Sequence, residues 1–363
     1  MIDFADFDEL KGKRVIVTGA TGFIGRRVLV ALIAAGAEVT AIVRDKRGAA
    51  IVADMGATPE VAHLTRPTEL GPILTRADTL VHLAYDFRAS VQDNLDAFET
   101  LYRAATTAGI ARMVHISSVV VYDDWPTGDL DENSACDRID GGPYRRAKMA
   151  MEKRLLDGDL PVAILQPTLV YGPRSALWTD GLAAGLHGGG VVLPEPEGLC
   201  NAVYVDDVAQ AVLRALIVPD LAQESFLISG AEPVAWTAFL SGYAETVGGQ
   251  ILREPATAMA AALGPEPDIS DTPSLAARIS AMGGRAIGRE NFDALVTTAK
   301  KILGRGGGGL LRPDHHLFGV FTATSTCRIE KARERLGYEP RFDLAAGLDA
   351  VRPYLTNRFK RKA

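Results

Sequence analysis

The sequence predicts an α/β fold, a doubly wound parallel sheet followed by a smaller C-terminal lobe. Three observations carry this. Short apolar runs alternate with helical patterns over roughly the first 170 residues. A glycine-rich turn, Thr18-Gly19-Ala20-Thr21-Gly22-Phe23-Ile24-Gly25, joins the first run to the first helix. After Pro173 the rhythm breaks, and glycine and proline become dense through Gly181, Gly188-Gly189-Gly190, Pro194 and Pro196.

The strand-like runs lie at 15–18, 38–43, weakly near Val61, and at 79–84, 113–117 and 162–166, with helical stretches at 26–35, 90–108 and 144–156. Strands this short, joined by helical crossovers, imply a parallel sheet covered on both faces. Further on, 201–205 and 226–229 read as strands and 206–216 and 237–247 as helices, with Asp206 as an N-cap. Two helices, 329–336 and 344–355, close the chain. Residues 254–311 are rich in alanine and glycine, and Gly306-Gly307-Gly308-Gly309 reads as a flexible connector.

With 363 residues, 47% hydrophobic and 23% charged, the chain can bury a large core. A net charge of −6 argues against a nucleic-acid or anionic-membrane partner. The basic tail Arg358-Phe359-Lys360-Arg361-Lys362 reads as a solvated terminus. Cys136, Cys200 and Cys327 are odd in number and form no CxxC, which argues against a disulfide framework or a zinc site and fits a reducing compartment. The acidic N-terminus lacks the basic and apolar regions of a signal peptide. No apolar run reaches the about 18 residues a membrane span needs. A soluble, cytoplasmic protein is expected.

The glycines of the turn have separate tasks. Gly19 permits the sharp exit from the strand, Gly22 lets a pyrophosphate approach the backbone, and Gly25 lets the helix pack closely. The helix N-terminus offers free N–H groups to the phosphates. At the end of the second strand stands Arg44, with Val43 where an acid for the ribose 2′-hydroxyl is expected. A guanidinium suits a 2′-phosphate, so NADP is favoured; Asp45 keeps NAD open. A second constellation pairs Ser117-Ser118 at a strand end with Tyr144 and Lys148, which are four residues apart and so share a helix face. A lysine ammonium beside the phenol is expected to lower its pKa and make Tyr144 a general acid/base, with Ser118 on the same substrate oxygen.

With these pieces in place, the chain resembles the extended short-chain dehydrogenase/reductases of the NAD(P)-dependent epimerase/dehydratase superfamily. The likeness also rests on Val81-His82-Leu83-Ala84, Val121-Tyr122, Gln166-Pro167-Thr168-Leu169-Val170-Tyr171-Gly172-Pro173, Val203-Tyr204-Val205-Asp206-Asp207-Val208-Ala209 and Lys331-Ala332-Arg333-Glu334-Arg335-Leu336-Gly337-Tyr338-Glu339-Pro340. The resemblance implies a Rossmann-type dinucleotide domain over 1–173, to which 201–230 returns. It implies a substrate-binding lobe from 174–200 and 231–363, with an atypical insertion at 254–325. It makes Ser118, Tyr144 and Lys148 catalytic. It assigns cofactor contacts to Gly19, Thr21, Gly22, Phe23, Ile24, Gly25, Arg44, Leu83, Ala84, Tyr85 and Ser117, places Asn94 on the helix behind, and gives Pro167 and Leu169 the nicotinamide carboxamide. It also implies a homodimer through the helices at 90–108 and 144–156.

Departures from the family pattern bear on the substrate. Ser118-Val119-Val120 lacks the acid pair of the sugar 4,6-dehydratases, so that dehydration is not expected. Cys200 stands where a diphosphate-binding arginine is usual, Gln166 replaces the family's arginine, and Asp123-Asp124 replaces a glycine. Arg174, Arg312 and Arg328 are the candidate substitutes for the diphosphate contact. His82 reads as a core histidine, and His315-His316 lacks a third ligand for a metal site. Three readings follow for a small-molecule substrate. The first is a nucleotide-sugar epimerase or ketoreductase. The second is an NADPH-dependent carbonyl reductase of the dihydroflavonol-reductase-like type. The third is a non-catalytic dinucleotide sensor.

Overall fold

Apolar strands leave both faces of a sheet in need of cover, and the chain supplies helices to each. The computed structural model describes residues 7–138, 141–265 and 309–360. The central strands are β1 (Arg14–Thr18), β2 (Glu38–Val43), β3 (Thr58–Val61), β4 (Thr79–His82), β5 (Arg112–Ile116), β6 (Val162–Pro167) and, later in the chain, β11 (Gln223–Ile228). They form one parallel sheet of seven strands in the order β11-β6-β5-β4-β1-β2-β3. The order reverses between β1 and β4, which makes their carboxyl ends the topological switch point of a Rossmann-type sheet.

Side chains alternate across this sheet. Val15, Val17, Val81, Val114 and Leu165 point to one core, shared with α1 (Phe23–Ala34) and α7 (Val205–Ile217). Ile16, Leu80, Met113 and Ile164 point to the other, closed by α3 (Pro67–Leu74), α4 (Val91–Ala108) and α5 (Pro143–Leu156). A Ser90/Asp93 capping box opens α4, and left-handed Gly109 ends it. The remaining Rossmann helix, α2 (Lys46–Asp54), is capped by Asp45, whose Oδ1 accepts the Gly48 N–H at 2.8 Å.

The second lobe is built on three two-stranded sheets. β7 (Leu169–Tyr171) pairs with β10 (Ala202–Tyr204), β9 (Leu199–Cys200) with β12 (Val234–Ala235), and β8 (Gly190–Glu195) with β13 (Gln250–Pro255). Helix α8 (Trp236–Val247) packs beneath the closing helix, which spans Leu344–Arg358. The segment at 309–325 is woven into this lobe: Phe321, in the short helix His315–Phe321, meets the Trp236 ring at 4.7 Å. Most of the expected connector, and residues 266–308 of the expected insertion, lie outside the described residues.

Several boundaries differ from expectation. The expected strand at 79–84 stops at His82; the Leu83 N–H makes the last ladder bond, to Thr18 O at 3.2 Å. The strand expected at 226–229 is the end of β11, inside the central sheet. Asp206 is not an N-cap: α7 starts at Val205, and the Asp206 carboxylate instead takes Arg27 of α1 in a bidentate pair at 2.5 and 2.7 Å. Its neighbour Asp207 accepts the backbone N–H groups of Arg341 (2.8 Å) and Phe342 (3.2 Å), pinning the C-terminal segment. The helix expected at 329–336 shortens to a π-type stretch, Ala332–Leu336, ended by left-handed Gly337. Among the described residues, no helix is long and apolar enough to cross a membrane.

The glycine turn is fixed by backbone contact. Gly19 has φ +73, and a Cβ there would lie 2.7 Å from Ala84 N; a Cβ on Gly25 would lie 2.1 Å from Gly19 O. Gly25→Ala is therefore expected to cost about 1–3 kcal/mol through forced displacement. Gly71, in α3 with nothing within 4 Å of its Cβ position, is the control. Gly71→Ala should be neutral or gain up to about 1 kcal/mol. Urea unfolding of the two variants checks the contrast.

Candidate active site

A cavity of about 380 Å³ opens at the switch point. Gly19, Thr21 and Gly22 form its floor at the N-terminus of α1, and Leu83, Ala84 and Tyr85 form the wall beyond β4. Arg44 stands at the end of β2, and Asn94 of α4 closes the back. Phe23, Ile24 and Gly25 belong to the first turn of α1 and are not among the lining residues. Ser117, Pro167 and Leu169 are buried and also lie outside the lining; Leu169 sits in β7, paired with Ala202. The segment after β3, Ala62-His63-Leu64-Thr65, joins the lining unannounced by any motif.

The cavity fits a dinucleotide. Without a Cβ, Gly19 packs directly on the Leu83–Ala84 backbone, and Gly19, Thr21 and Gly22 line the cavity at the α1 N-terminus. The only acid next to Arg44 in sequence, Asp45, is engaged as the α2 cap. Arg44 itself is exposed and pairs with Asp86 at 2.6 Å. Asn94 holds the loop after β4: its Oδ1 accepts the Asp86 N–H at 2.9 Å and its Nδ2 donates to Asp86 O at 3.0 Å.

Ser118, Tyr144 and Lys148 come together beside this wall. Pro143 starts α5, so Tyr144 stands at its first turn and Lys148 one turn further on. Lys148 Nζ donates to Ile116 O at 2.7 Å, which ties α5 to the end of β5. The ammonium lies 5.3 Å from the Tyr85 ring centre and 5.8 Å from that of Tyr144. Burial lowers the Lys148 pKa to about 8. Ser118 caps the short 3₁₀ turn Val119–Val121.

The phenol is not acidified as expected. Burial pushes the Tyr144 pKa up to about 12, and the neighbouring Ser118 hydroxyl only partly offsets this. The reason is geometric. Lys148 directs its hydrogen bond to a carbonyl, while Tyr85 and Phe87 crowd the phenol with rings at 5.0 and 5.1 Å. In this arrangement Tyr144 holds a proton that it can donate.

Two supporting networks carry no motif. Arg145 bridges α5 to the turn that bears Ser118: it donates to Val120 O and Val121 O, both at 3.0 Å, and to the Asp123 carboxylate. Asp123 also accepts the backbone N–H groups of Asp137 and Arg138. The second network is a buried chain in which Tyr122 donates to Gln166 Oε1 (2.6 Å) and Gln166 Nε2 donates to Glu152 (2.9 Å). Glu152 lies one turn beyond Lys148, and burial raises its pKa to about 7. His82 and His115 stack at 5.3 Å beneath the site, both held neutral by burial, and His82 bonds Thr18 Oγ1 at 2.7 Å.

The cations nominated for a diphosphate differ in their surroundings. Arg312 makes a bidentate pair with Glu254 at 2.8 Å. Burial lowers the pKa of Arg26 in α1, and the nearby charge of Arg174 adds to the shift. Arg328 is exposed, and Cys200 is buried.

Comparison with known proteins agrees with this geometry. The model of the NAD dependent epimerase/dehydratase family matches residues 15–228. The chain is 28% identical over 356 residues to a 4-hydroxy-2-methyl-3-oxo-4-farnesyl-3,4-dihydroquinoline-1-oxide ketoreductase of Stigmatella aurantiaca, covering 93% of this chain and 96% of the relative. It is 26% identical to UDP-glucose 4-epimerase of Vibrio cholerae, covering 63% of this chain and 74% of that enzyme. The fold matches the crystal structure of UDP-glucose 4-epimerase from Thermotoga maritima with a TM-score of 0.67 at 19% identity, over 96% of this chain and all of that one.

The raised Glu152 pKa has a signed consequence for stability. Between about pH 4.5 and 7 the folded carboxyl keeps a proton that the unfolded one releases, so stability falls as pH rises through that window. Glu152→Gln removes this loss while keeping the Gln166 contact possible. The Tm of the variant minus that of the unmodified protein should become more positive from pH 5 to pH 7. A difference independent of pH would contradict the assignment.

Proposed function

Since the chain belongs to the NAD-dependent epimerase/dehydratase family, we propose that it is an NADP-dependent ketoreductase acting on a small carbonyl compound without a nucleotide diphosphate. The observation that carries this reading is the Tyr144 environment, an uncharged phenol walled by aromatic rings, with Arg312 of the nominated cations already paired to Glu254. The nearly full-length likeness to a ketoreductase supports it.

The bound nicotinamide would supply a hydride to the carbonyl carbon, and the chain manages the proton. The Tyr144 hydroxyl gives its proton to the carbonyl oxygen, and the Ser118 hydroxyl donates a hydrogen bond to the same atom. The phenolate left behind is favoured by the Lys148 charge and is reprotonated from solvent. Alcohol oxidation runs the same transfers in reverse. Val119 and Val120 offer no acid/base pair after Ser118, so a 4,6-dehydration is not proposed. The second lobe would close over the substrate, and the α4–α5 surface would pair two copies of a cytoplasmic enzyme.

NADPH oxidation against a panel of ketones tests the reading. Tyr144→Phe is expected to lower kcat/KM at least about a hundredfold. Turnover of UDP-glucose with a cofactor that stays bound and unchanged would overturn it in favour of an epimerase. The NADP preference rests on Arg44. Arg44→Ala should weaken NADPH at least about tenfold, the value of a lost charge-assisted contact, and change NADH little. Equal weakening of both cofactors, read by titration, would remove Arg44 from the 2′-phosphate.

A further inference from the structure

The loop after β4 holds a feature that the proton chemistry does not use. Phe87 exposes 77% of its surface, more than any other large apolar side chain among the described residues. Its ring lies 5.1 Å from the Tyr144 ring with a 31° tilt, and 4.9 Å from the Tyr85 ring, edge-on at 68°. Tyr85 meets Tyr144 edge-on at 5.0 Å. One face of this cluster is packed and the other is open.

The loop is not frayed. Asn94 clamps both backbone groups of Asp86, the residue before Phe87. On the other side, the Arg88 N–H reaches Asp86 Oδ1 at 3.0 Å and the Ala89 N–H reaches Asp86 O at 3.0 Å. Arg44 holds the Asp86 carboxylate at 2.6 Å. An apolar ring is thus presented to solvent by a backbone pinned on both sides of it, next to the proton donor. Exposed aromatic surface that is held rigid loses little entropy when it is covered, which is the condition for a binding platform. A flat ring laid on Phe87 gains the stacking geometry aromatic pairs prefer, and the carboxylate of the preceding Asp86 is already paired with Arg44.

We infer that Phe87 is a specificity-determining residue whose open face stacks on a planar, conjugated ring of the substrate, so that an aryl or ring-conjugated ketone meets the Tyr144 hydroxyl. This deepens the ketoreductase reading and rests on it. An aliphatic ketone of the same size would gain the area but not the stacking.

1-Tetralone and 1-decalone share a ten-carbon bicyclic skeleton, one flat and one puckered, and make a matched pair of probes. With the full-length protein and NADPH, 1-tetralone should have the higher kcat/KM. Phe87→Ala should lower it about tenfold for 1-tetralone and less than about threefold for 1-decalone, and Phe87→Trp should restore the preference. NADPH affinity and oligomeric state should not move. Equal losses for both ketones would overturn the proposal. So would a matching loss of NADPH affinity, which would give Phe87 to the cofactor, or a change of oligomeric state, which would make it a subunit contact. If the unmodified protein reduces neither ketone, the ketoreductase reading falls separately. The platform is then judged by 1-tetralone binding to the NADP⁺-loaded protein: at least about fivefold weaker binding in Phe87→Ala supports it, and equal binding overturns it.

Discussion

The approach of the Gly19 backbone to Leu83 and Ala84 is the constraint on which the rest of the site depends. A Cβ on Gly19 would sit 2.7 Å from backbone atoms of both residues, so the ends of β1 and β4 meet with no side chain between them. That contact closes the two strand ends together at the switch point, where Gly19, Thr21 and Gly22 line the cavity. Leu83 makes the last ladder bond, to Thr18 O; beyond it Tyr85 and Asp86 line the cavity, and Phe87 packs on the Tyr85 ring. The backbone that meets Gly19 and the rings beside Tyr144 thus belong to one stretch of chain after β4.

The departures from the family pattern become intelligible as local compensation. Gln166 cannot neutralise Glu152 as an arginine would, but it bonds it and passes the chain on to Tyr122. A buried carboxyl without a cation in contact keeps its proton more readily, which is the direction of the Glu152 shift. Asp123, standing where a glycine is common, receives Arg145 and two backbone N–H groups. It turns the loop that carries Ser118 into a part fixed to α5. Both substitutions act on the support of Ser118, Tyr144 and Lys148 and leave those side chains themselves unchanged.

What was legible in the sequence follows from how local each signal is. The short apolar runs and the glycine turn depend on neighbours in sequence, and so does the inference of a parallel sheet from strands joined by helical crossovers. The face shared by Tyr144 and Lys148 is local to one helix. Burial is not local. The upward shift of the Tyr144 phenol depends on rings from the β4 loop, and on Lys148 choosing a carbonyl over the phenol, neither of which spacing can reveal. Asp206 was misread for the same reason: its partner, Arg27, lies 179 residues away. Residues 266–308 hold no periodicity that the sequence makes readable, and they lie outside the described structure.

The electrostatics of the site then bear on direction. Burial holds His82 and His115 neutral and keeps the proton on Tyr144, and it lowers the pKa of Lys148, one helical turn from Tyr144, to about 8. Glu152, one turn away, has its own raised to about 7, and each of the two favours the other's charged form. Carbonyl reduction creates a phenolate at Tyr144, and a charged Lys148 is the group that favours it. An environment that keeps the phenol protonated before reaction, with the Lys148 cation one turn away, is suited to giving a proton to a ketone. A site built mainly for alcohol oxidation would gain more from a phenol already close to ionisation.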